Sequence, residues 1–496
     1  MLKPLMFALL LTGATPLVAQ AAPQPAPGAA DIAVARAFFD AIGAESPASV
    51  ETFLATGISP RASEFEAPEQ LARRVRALAE QSGGIDISEW IEAGDQVRFS
   101  GTSRRGGVPV RGILGLAEGK LLGFQIAPDR RIRGASAPEW PESATSAESA
   151  MAAIERELDW RAGTGRFSGA VLINRRGQPV LERAFGFARR APDISNTPDT
   201  PFHTASTTKM FTAAAIGQLI DAGRLGLDTT VAQAVPAFAN APGASGVTLR
   251  DLLGHRVSYG DYILSDQYRA IEGVGVSATE LLSLLEDRRP EPAREGRISY
   301  SNANYLVLAA AIEAASGTNY YDYVEQHLLR PLAMSNTLFG APDSRPEGAA
   351  IGWIKDDVTD PLGIGEWRPN DNVVPFRGGP PGGTWSSARD MGRFIDALAG
   401  GRIVSSETLD AMIGDRRNMG RTFGYGLGLM LNEVNGRRYF GHDGGGGNAG
   451  VSTSVFTAED GEWSVVVLSN LSSPAGDSLG KSLIDLLLTV PSGEPS

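Results

Sequence analysis

Hydrophobic positions change their period once within the first 130 residues of the chain. Up to about residue 80 they recur every three or four residues, which predicts two or three amphipathic helices. From about residue 97 they alternate with polar positions, which predicts antiparallel strands, with a turn at Glu118-Gly119 between the last two. The apolar positions are Val34, Phe38, Ile42, Leu71, Val75 and Leu78 in the helices, and Val97, Phe99, Val108, Val110, Leu122, Phe124 and Ile126 in the strands. Residues 31–133 are therefore interpreted as a small α+β domain.

A second, larger domain is predicted over residues 150–490. Its first and last strongly apolar runs, Ala170–Ile173 and Val465–Leu468, are typical of buried strands, and long helices with apolar faces lie between them. Strands so far apart in sequence indicate one sheet closed by both ends of the domain, with a helical insertion. Residues 134–149 are small, polar and interrupted by proline, which is the composition of a linker.

The first 21 residues have the pattern of a cleavable secretory signal. Lys3 precedes an apolar stretch at 5–11, and the small residues Ala19 and Ala21 fit a cleavage site. The apolar stretch is too short to span a membrane. Residues 22–30 continue as a linker rich in proline and alanine. We therefore expect an exported protein, periplasmic or secreted after cleavage, without a stable membrane anchor.

Composition and charge exclude several classes of protein. The chain has 496 residues and a formal net charge of −12, with no run of basic residues, so we do not expect nucleic acid as a partner. It has no cysteine, which excludes disulfides, thiolate metal sites and a cysteine nucleophile. Its four histidines show no paired spacing, so we expect neither a metal nor another cofactor. The glycine pattern at Gly445, Gly447 and Gly450 precedes a predicted hairpin instead of a helix, so it is not interpreted as a dinucleotide site.

The strongest candidate catalytic residues are Ser206 and Lys209. They are three residues apart at the start of an apolar helix, Met210–Ile220, so their side chains share one helix face. A serine hydroxyl becomes a good nucleophile when a base takes its proton, and a lysine is such a base when burial and positive neighbours lower its pKa. The chain has five lysines against 40 arginines, and arginine does not lose its proton. The presence of a lysine at 209 is therefore better explained by a role in proton transfer than by a need for surface charge.

The same spacing of serine and lysine occurs again at Ser478 and Lys481. Gly480, a residue that disfavours helix, lies inside this second copy, and only 15 residues follow it. We interpret it as the start of a surface helix.

A tyrosine motif lies between the two copies. Tyr300-Ser301-Asn302 precedes an apolar helix. A phenol at Tyr300 can relay a proton, and the amide of Asn302 can hold the lysine and a substrate carbonyl. The same three residues also fit a simple helix N-cap with a buried tyrosine.

A run of glycines near the C-terminus follows Gly441-His442-Asp443. Glycines such as Gly444 and Gly445 let a strand edge approach a substrate closely. A backbone N–H there can complete an oxyanion hole with that of Ser206.

With S-T-T-K, Y-S-N and H-D-G in that order, residues 150–490 resemble the serine β-lactamase-like family, in its class C β-lactamase, D,D-peptidase and esterase branch. The resemblance implies an α+β fold: an antiparallel sheet flanked by helices, a helical subdomain, and the site in the cleft between. At the level of fold, residues 31–133 resemble the small cone-like domains of the nuclear-transport-factor type. We expect that domain to dock the catalytic domain or a partner.

The resemblance also implies roles for individual residues. Ser206 corresponds to the acylated nucleophile, Lys209 to its base and Tyr300 to the proton relay. Asn302 is implied as a polar contact to substrate, and His442 takes the position of the third motif. The amides of Ser206 and Gly445 are implied as the oxyanion hole.

Two departures from the family pattern bear on the substrate. Lactamases and penicillin-binding proteins usually have lysine then threonine at the positions of His442 and Asp443. A lysine there attracts a substrate carboxylate, whereas a mostly neutral histidine attracts it less and an aspartate repels it. The family's His-Thr-Ser-Gly is replaced by a segment starting at His255, which, like His203, is interpreted as structural.

We therefore expect an acyl hydrolase that acts on small-molecule esters. The alternatives are a D-amino-acid peptidase or D,D-carboxypeptidase, with a β-lactamase less favoured. A protein that binds a cell-wall fragment without turnover, and an enzyme whose first domain gates the cleft, also stay open.

Overall fold

The described part of the molecule forms two compact units. The structure, a computed structural model, describes residues 29–491 except 65–66, 94–95, 106, 130–136, 264, 266, 269–276, 342, 356–366, 372, 420–422 and 447–448. The segment predicted as a secretory signal lies outside the described residues. The first unit reaches Ala137 and includes Ile354–Arg368, and the second comprises Pro138–Trp353 and the chain from Pro369 onward. Residues 138–149, expected to be linker, thus belong to the second unit.

The first unit contains helices followed by an antiparallel sheet, as the change of period predicted. Its helices are α1 (Ala29–Gly43), α2 (Pro47–Thr56) and α3 (Pro68–Ser82), with a 3₁₀ turn at Pro60–Glu64. Its strands, paired in sequence order, are β1 (Ile85–Ala93), β2 (Gln96–Ser103), β3 (Pro109–Ala117) and β4 (Lys120–Pro128). The predicted turn joins β3 to β4, with φ of 55° at Glu118 and 70° at Gly119, as a tight hairpin requires.

Aromatic side chains occupy the centre of the first unit. The ring of Phe38, on α1, lies 5.1 to 5.5 Å from those of Phe39, Phe53 and Phe124. Phe39 packs edge-on against Phe99 of β2, with 4.7 Å between the ring centres. These contacts hold α1 on the sheet, and most of the apolar positions read from the sequence are buried in this core.

The second unit is built around an eight-stranded antiparallel sheet. Its strands follow the order β15-β16-β17-β18-β19-β20-β5-β6, so the first and last long strands of the unit are neighbours, with Val171 opposite Val467. This confirms the prediction of one sheet closed by both ends of the domain. The strands are β5 (Gly169–Arg175), β6 (Gln178–Phe185), β15 (Arg417–Met419), β16 (Phe423–Tyr425), β17 (Met430–Val434), β18 (Arg437–Gly445), β19 (Ser452–Ala458) and β20 (Trp463–Ser469).

Helices and shorter strands complete the second unit. The helices are α4 (Ala147–Gly163), α5 (Lys209–Asp221), α6 (Val231–Ala234), α7 (Leu249–Leu253), α8 (Ala278–Leu281), α9 (Asn302–Ser316), α10 (Tyr320–Val324), α11 (Ala388–Ala399), α12 (Ser406–Gly414) and α13 (Asp477–Leu487). The shorter strands of the chain are β7 (Phe187–Arg190), β8 (Asp193–Ser195), β9 (Phe202–His203), β10 (Val257–Ser258), β11 (Glu291–Pro292), β12 (Trp353–Ile354), β13 (Arg368–Pro369) and β14 (Trp385–Ser386).

Both faces of the sheet are covered by helices, which explains why its central strands are apolar throughout. Along β5, Ala170 and Leu172 belong to the hydrophobic core that contains α5, α9 and α11. The alternate residues Val171 and Ile173 belong to a second core, built with α4 and α13. Successive side chains of a strand point to opposite faces, so a strand buried on both sides has no polar alternation. The result is the predicted sheet flanked by helices.

Lys481 is not a surface residue, contrary to the expectation from sequence. Its helix, α13, does begin nearby, at Asp477. The ammonium forms an ion pair with the carboxylate of Asp443 on β18, and the two side chains are only 17% and 13% exposed. The hydroxyl of Ser454 donates a further hydrogen bond of 2.8 Å to that carboxylate. The lysine is buried because α13 covers this face of the sheet.

We predict that Lys481→Met lowers the free energy of unfolding by about 3 kcal/mol, because it leaves a buried carboxylate without its cation. The double variant Lys481→Met with Asp443→Asn should recover much of this loss, since no unpaired charge remains. Urea unfolding of the four members of this double-mutant cycle measures the coupling between the two residues. A loss in the double variant equal to the sum of the two single losses would show that the ion pair contributes nothing.

Candidate active site

Ser206 lies in a strained turn directly before α5. The turn is a 3₁₀ segment, Ala205–Thr208, and Ser206 is partly exposed. Ala205 has a φ of 48°, a conformation that residues other than glycine rarely adopt. It is held there by the N–H of Gly383, which donates to the carbonyl of Ala205 at 3.0 Å. The turn thereby presents the serine hydroxyl while α5 continues into the core.

Lys209 is buried, with no exposed surface, and its amine contacts three oxygens. Its Nζ lies 2.7 Å from Oδ1 of Asn302, 2.6 Å from the carbonyl oxygen of Pro381 and 3.3 Å from Oγ of Ser206. The rings of Tyr300 and Tyr305 lie 4.7 and 5.3 Å from it. The amide and the carbonyl oxygens can only accept, so they fix two N–H bonds of the amine. In the neutral amine the lone pair is then left for the serine hydroxyl.

Burial lowers the pKa of Lys209 to about 7. The positive neighbours expected from sequence do not contribute, because the charge that acts on the amine is that of Asp261, which raises its pKa. Removing an ammonium from water disfavours its charged form, and here this effect exceeds the attraction of the carboxylate. Near pH 7 a large fraction of the amine is therefore neutral and able to accept a proton.

Tyr300 lies beside the nucleophile and stays protonated. Its hydroxyl hydrogen-bonds to Ser206, yet burial raises the pKa of the phenol well above its ordinary value. Tyr300 can therefore pass a proton on but does not serve as a phenolate base. Ser301 caps α9 through a hydrogen bond from the N–H of Asn304, so the capping interpretation of this motif holds together with the chemical one.

Asn302 connects Lys209 to a carboxylate that the sequence analysis missed. Its Oδ1 accepts from Lys209, and its Nδ2 donates to Oδ2 of Asp261 at 2.6 Å. These two contacts fix the orientation of the amide, because a carboxylate accepts and an amine donates. Asp261 lies in the loop after His255, where the sequence departs from the family pattern, and that departure was the available signal.

His442 lies beneath the site and offers substrate no free nitrogen. Nδ1 contacts the carbonyl oxygen of Asp443 and so carries the proton, while Nε2 accepts from the hydroxyl of Tyr425 at 3.1 Å. Burial lowers the pKa of the imidazole to about 3, with a contribution from Lys209, so the ring is neutral, as expected. Its side chain is 2% exposed. The structure thus gives His442 a supporting position, and not the direct contact to substrate implied by the resemblance.

The expected repulsion of substrate by Asp443 does not arise. Asp443 follows His442 on β18, so its side chain points to the opposite face of the sheet. There it pairs with Lys481. The part of the ester prediction that rested on this aspartate was therefore wrong.

Glycine at 444 allows β18 to approach the turn that carries the nucleophile. A Cβ at this position would lie 2.8 Å from the amide nitrogen of Ser206 and 2.5 Å from the carbonyl oxygen of Thr204. Gly445 follows at the end of the strand with a φ of 129°, a value that favours glycine. The structure thus brings β18 and the amide of Ser206 together, at the place expected for an oxyanion hole.

Two further histidines, His203 and His255, support the backbone around this arrangement. His255 is fully buried, accepts from the N–H of Ser301 at 3.1 Å through Nδ1, and lies 4.4 Å from the ring of Tyr300. His203 accepts from the N–H of Ala205 at 3.3 Å. Within the described ranges no three histidine or acidic side chains are grouped so as to hold a metal ion.

Comparison with known proteins agrees with this geometry. The β-lactamase family profile matches residues 151–488, more than half of the chain. The chain belongs to the β-lactamase family. Its fold, an antiparallel sheet flanked by helices, is that of the family's β-lactamase and penicillin-binding protein members.

The chain is similar in sequence or in fold to several known proteins. A penicillin-binding protein from Bacillus halodurans has a solved structure that matches with a TM-score of 0.56 and 26% identity, covering 67% of this chain and 98% of that one. The putative penicillin-binding protein PbpX of Bacillus subtilis is 28% identical over 53% of this chain and 62% of its own length. Teichoic acid D-alanine hydrolase of Staphylococcus aureus is 23% identical over 52% and 61%. The chain thus spans about three fifths of the length of these two curated relatives.

We predict that kcat/KM for an ester rises with pH through about 7 and then levels. The amine of Lys209 accepts a proton only when neutral, so activity should fall about tenfold per pH unit below this pKa. The pKa values of His203 and His442, about 4 and about 3, lie too low to produce such a limb. A pH–rate profile checks this, and a flat profile down to pH 5 would rule out Lys209 as the base.

We predict that Gly444→Ala lowers kcat/KM by about a hundredfold, a size typical of losing an oxyanion donor. The added methyl group would meet the Ser206 amide and force β18 away from the turn. Gly163→Ala is the matched control, because a Cβ at that position meets nothing within 4 Å. Similar activities of the two variants would show that the close approach of β18 is not needed.

Proposed function

We propose that this protein is an exported serine acyl hydrolase that forms a covalent acyl-serine intermediate and prefers esters. The observation that carries the proposal is the environment of Lys209. Two fixed acceptors hold its N–H bonds, burial lowers its pKa to about 7, and the remaining position of its nitrogen faces Oγ of Ser206. A neutral amine held in this way next to a serine is an activated nucleophile pair.

Acylation follows from this arrangement. Oγ of Ser206 attacks the acyl carbonyl carbon while its proton moves to Nζ of Lys209. The carbonyl oxygen becomes an oxyanion, which the amides of Ser206 and Gly445 stabilise. When the carbonyl re-forms, the bond to the leaving alkoxide breaks. That oxygen takes a proton relayed through Tyr300, whose hydroxyl hydrogen-bonds to Ser206 and is replenished from the lysine.

Hydrolysis of the acyl-serine repeats the sequence with water in place of the serine. Water attacks the ester carbonyl and gives its proton, through Tyr300, to Lys209. Oγ of Ser206 leaves and takes the proton back, so the carboxylic acid product departs and the site returns to its starting state. The hydrogen bond between His442 and Tyr425 keeps β18 and the buried aromatic side chains around the site in place.

The charge of the site favours substrates without a carboxylate. The position that usually holds a lysine is occupied by the neutral His442. The charge acting on Lys209 is the negative one of Asp261. A substrate carboxylate, as in a β-lactam or a peptide C-terminus, is therefore not attracted by a lysine at this position and meets some repulsion from Asp261. Hydrolysis of D-amino-acid peptides or amides is the second candidate, favoured by the similarity to a D-alanine hydrolase.

Export and the role of the first unit are further parts of this proposal. Export is supported by the signal-like pattern of residues 1–21. Among the described residues no helix is both long and apolar enough to cross a membrane. We propose that the small domain predicted at residues 31–133 docks the catalytic domain or a partner.

We predict that Ser206→Ala abolishes hydrolysis of p-nitrophenyl butyrate, whereas Ser478→Ala leaves it unchanged. Both variants remove a serine hydroxyl three residues before a lysine, but only Ser206 has the amine of that lysine beside it in the described structure. Release of p-nitrophenol measures turnover, and intact mass detects an acyl adduct on the unmutated protein.

A chromogenic cephalosporin, tested in parallel, distinguishes the alternatives. Faster turnover of the cephalosporin than of the ester would overturn the preference for esters and keep the nucleophile. An adduct that forms on Ser206 without turnover would favour a binding protein. Equal behaviour of Ser206→Ala and the unmutated protein would remove the proposal.

A further inference from the structure

Asp261 places a carboxylate at the solvent-exposed end of the catalytic network. Its side chain is exposed, whereas Asn302 is half-buried and Lys209 fully buried, so the three residues lead from solvent to the nucleophile. One amide group separates the carboxylate from the amine, through contacts of 2.6 and 2.7 Å. The mechanism proposed above uses Asn302 and Lys209 but gives this carboxylate no contact with substrate.

The carboxylate is held in one orientation. Oδ2 accepts from Nδ2 of Asn302, and Oδ1 accepts from the backbone N–H of Ile263 at 3.0 Å. An ionised carboxylate has about four acceptor positions, so these two bonds leave further lone pairs for a donor from solvent or substrate. A fixed carboxylate loses little freedom when it binds a cation, which favours recognition.

Among the residues that the structure describes, no ion pair involves this carboxylate. Arg288 contacts the backbone of this loop: its Nη1 donates to the carbonyl oxygens of Asp261 at 2.7 Å and Tyr259 at 3.3 Å. This guanidinium therefore holds the loop and leaves the carboxylate oxygens to Asn302 and Ile263. The negative charge of Asp261 still acts on the interior, since it raises the pKa of Lys209.

We propose that Asp261 is a specificity-determining residue that binds the ammonium group of the substrate, so that the preferred substrates are esters or amides of amino acids with a free α-amine. This inference rests on the proposed function and narrows its substrate class. In an aminoacyl group the ammonium is attached one carbon from the carbonyl that Ser206 attacks. From Oγ of Ser206 the path to this carboxylate runs through Nζ of Lys209 and the amide of Asn302, by contacts of 3.3, 2.7 and 2.6 Å. The proposal places the ammonium of a bound aminoacyl group on the Asp261 side of Asn302.

A pair of substrates of equal shape, compared after correction for their intrinsic reactivity, isolates the recognition of charge. Alanine methyl ester and methyl isobutyrate differ only in that an ammonium replaces a methyl group, and the α-amine is mostly protonated at pH 7. An α-ammonium also withdraws electrons and makes the ester more reactive, so each kcat/KM is divided by the rate constant for hydroxide-catalysed hydrolysis of the same ester. We expect this corrected value, in the full-length protein, to be at least tenfold higher for at least one enantiomer of alanine methyl ester than for methyl isobutyrate. Hydrolysis is followed by titration of the released acid, for D- and L-alanine esters separately.

Asp261→Asn then tests the residue itself. The substitution keeps the size of the side chain and its capacity to accept from Asn302, but removes the charge. We expect the ratio of the two corrected kcat/KM values to fall to about one, mostly through KM of the alanine ester. Any change in the pKa of Lys209 acts on both substrates alike and cancels in the ratio. Asp287→Asn, which removes another exposed carboxylate before β11, should leave the ratio unchanged.

The outcomes separate this inference from the proposed function. Hydrolysis of both esters that depends on Ser206 but shows no preference for the ammonium would overturn the role of Asp261 and keep the acyl hydrolase. An equal loss on both substrates in Asp261→Asn would show that Asp261 acts only by positioning Asn302. Absence of any hydrolysis dependent on Ser206 would remove both proposals.

Discussion

The site depends on the burial of one amine that has no adjacent carboxylate. Lys209 lies in the interior with its Nζ between an amide oxygen, a carbonyl oxygen and the nucleophile. A carboxylate in contact would have kept it charged, whereas neutral acceptors do not offset the loss of hydration. Asp261 is set one amide farther away, so its charge moderates the pKa of the amine without restoring it to its ordinary range. The distance between these two charges therefore decides whether Lys209 is a base or a structural cation.

The chain contains the opposite case in the same unit. Lys481 is also buried, but the carboxylate of Asp443 is in direct contact with it. That pair lies on one face of the sheet, and His442, the preceding residue of β18, lies on the other, toward the nucleophile. Because side chains alternate along β18, the ion pair of Asp443 lies on one face of the sheet and the neutral hydrogen bonds of His442 lie on the other. The ion pair holds α13 on the sheet, and the neutral hydrogen bonds support the site.

The aromatic floor beneath the site keeps water away from the amine and orients the backbone that surrounds it. Tyr305, Tyr425 and His442 form a chain of hydrogen bonds, with 3.3 Å between the two phenols and 3.1 Å from Tyr425 to the imidazole. Burial raises the pKa of Tyr425 and lowers that of His442, so every member of this chain is neutral near pH 7. A floor of this kind contributes apolar surroundings and fixed hydrogen bonds without adding a charge that would compete with Lys209.

The sequence by itself determined the order of helices and strands, the sheet closed by both ends of the second unit, and the pairing of Ser206 with Lys209. The elements follow from local periodicity, and the pairing follows from a spacing of three residues. Both are set within one stretch of chain and can be read from the sequence. It did not determine which face of a strand each residue occupies in the folded unit. For this reason the roles of Asp443 and His442 were misjudged, and that of Lys481 was misjudged because its helix packs on the face where Asp443 lies. Nor did it reveal Asp261, Pro381 and Tyr425, because their part in the site comes from loops and strands far apart in the chain. The charge of Lys209 was decided by tertiary structure, since desolvation depends on what packs around an atom and not on its neighbours in sequence.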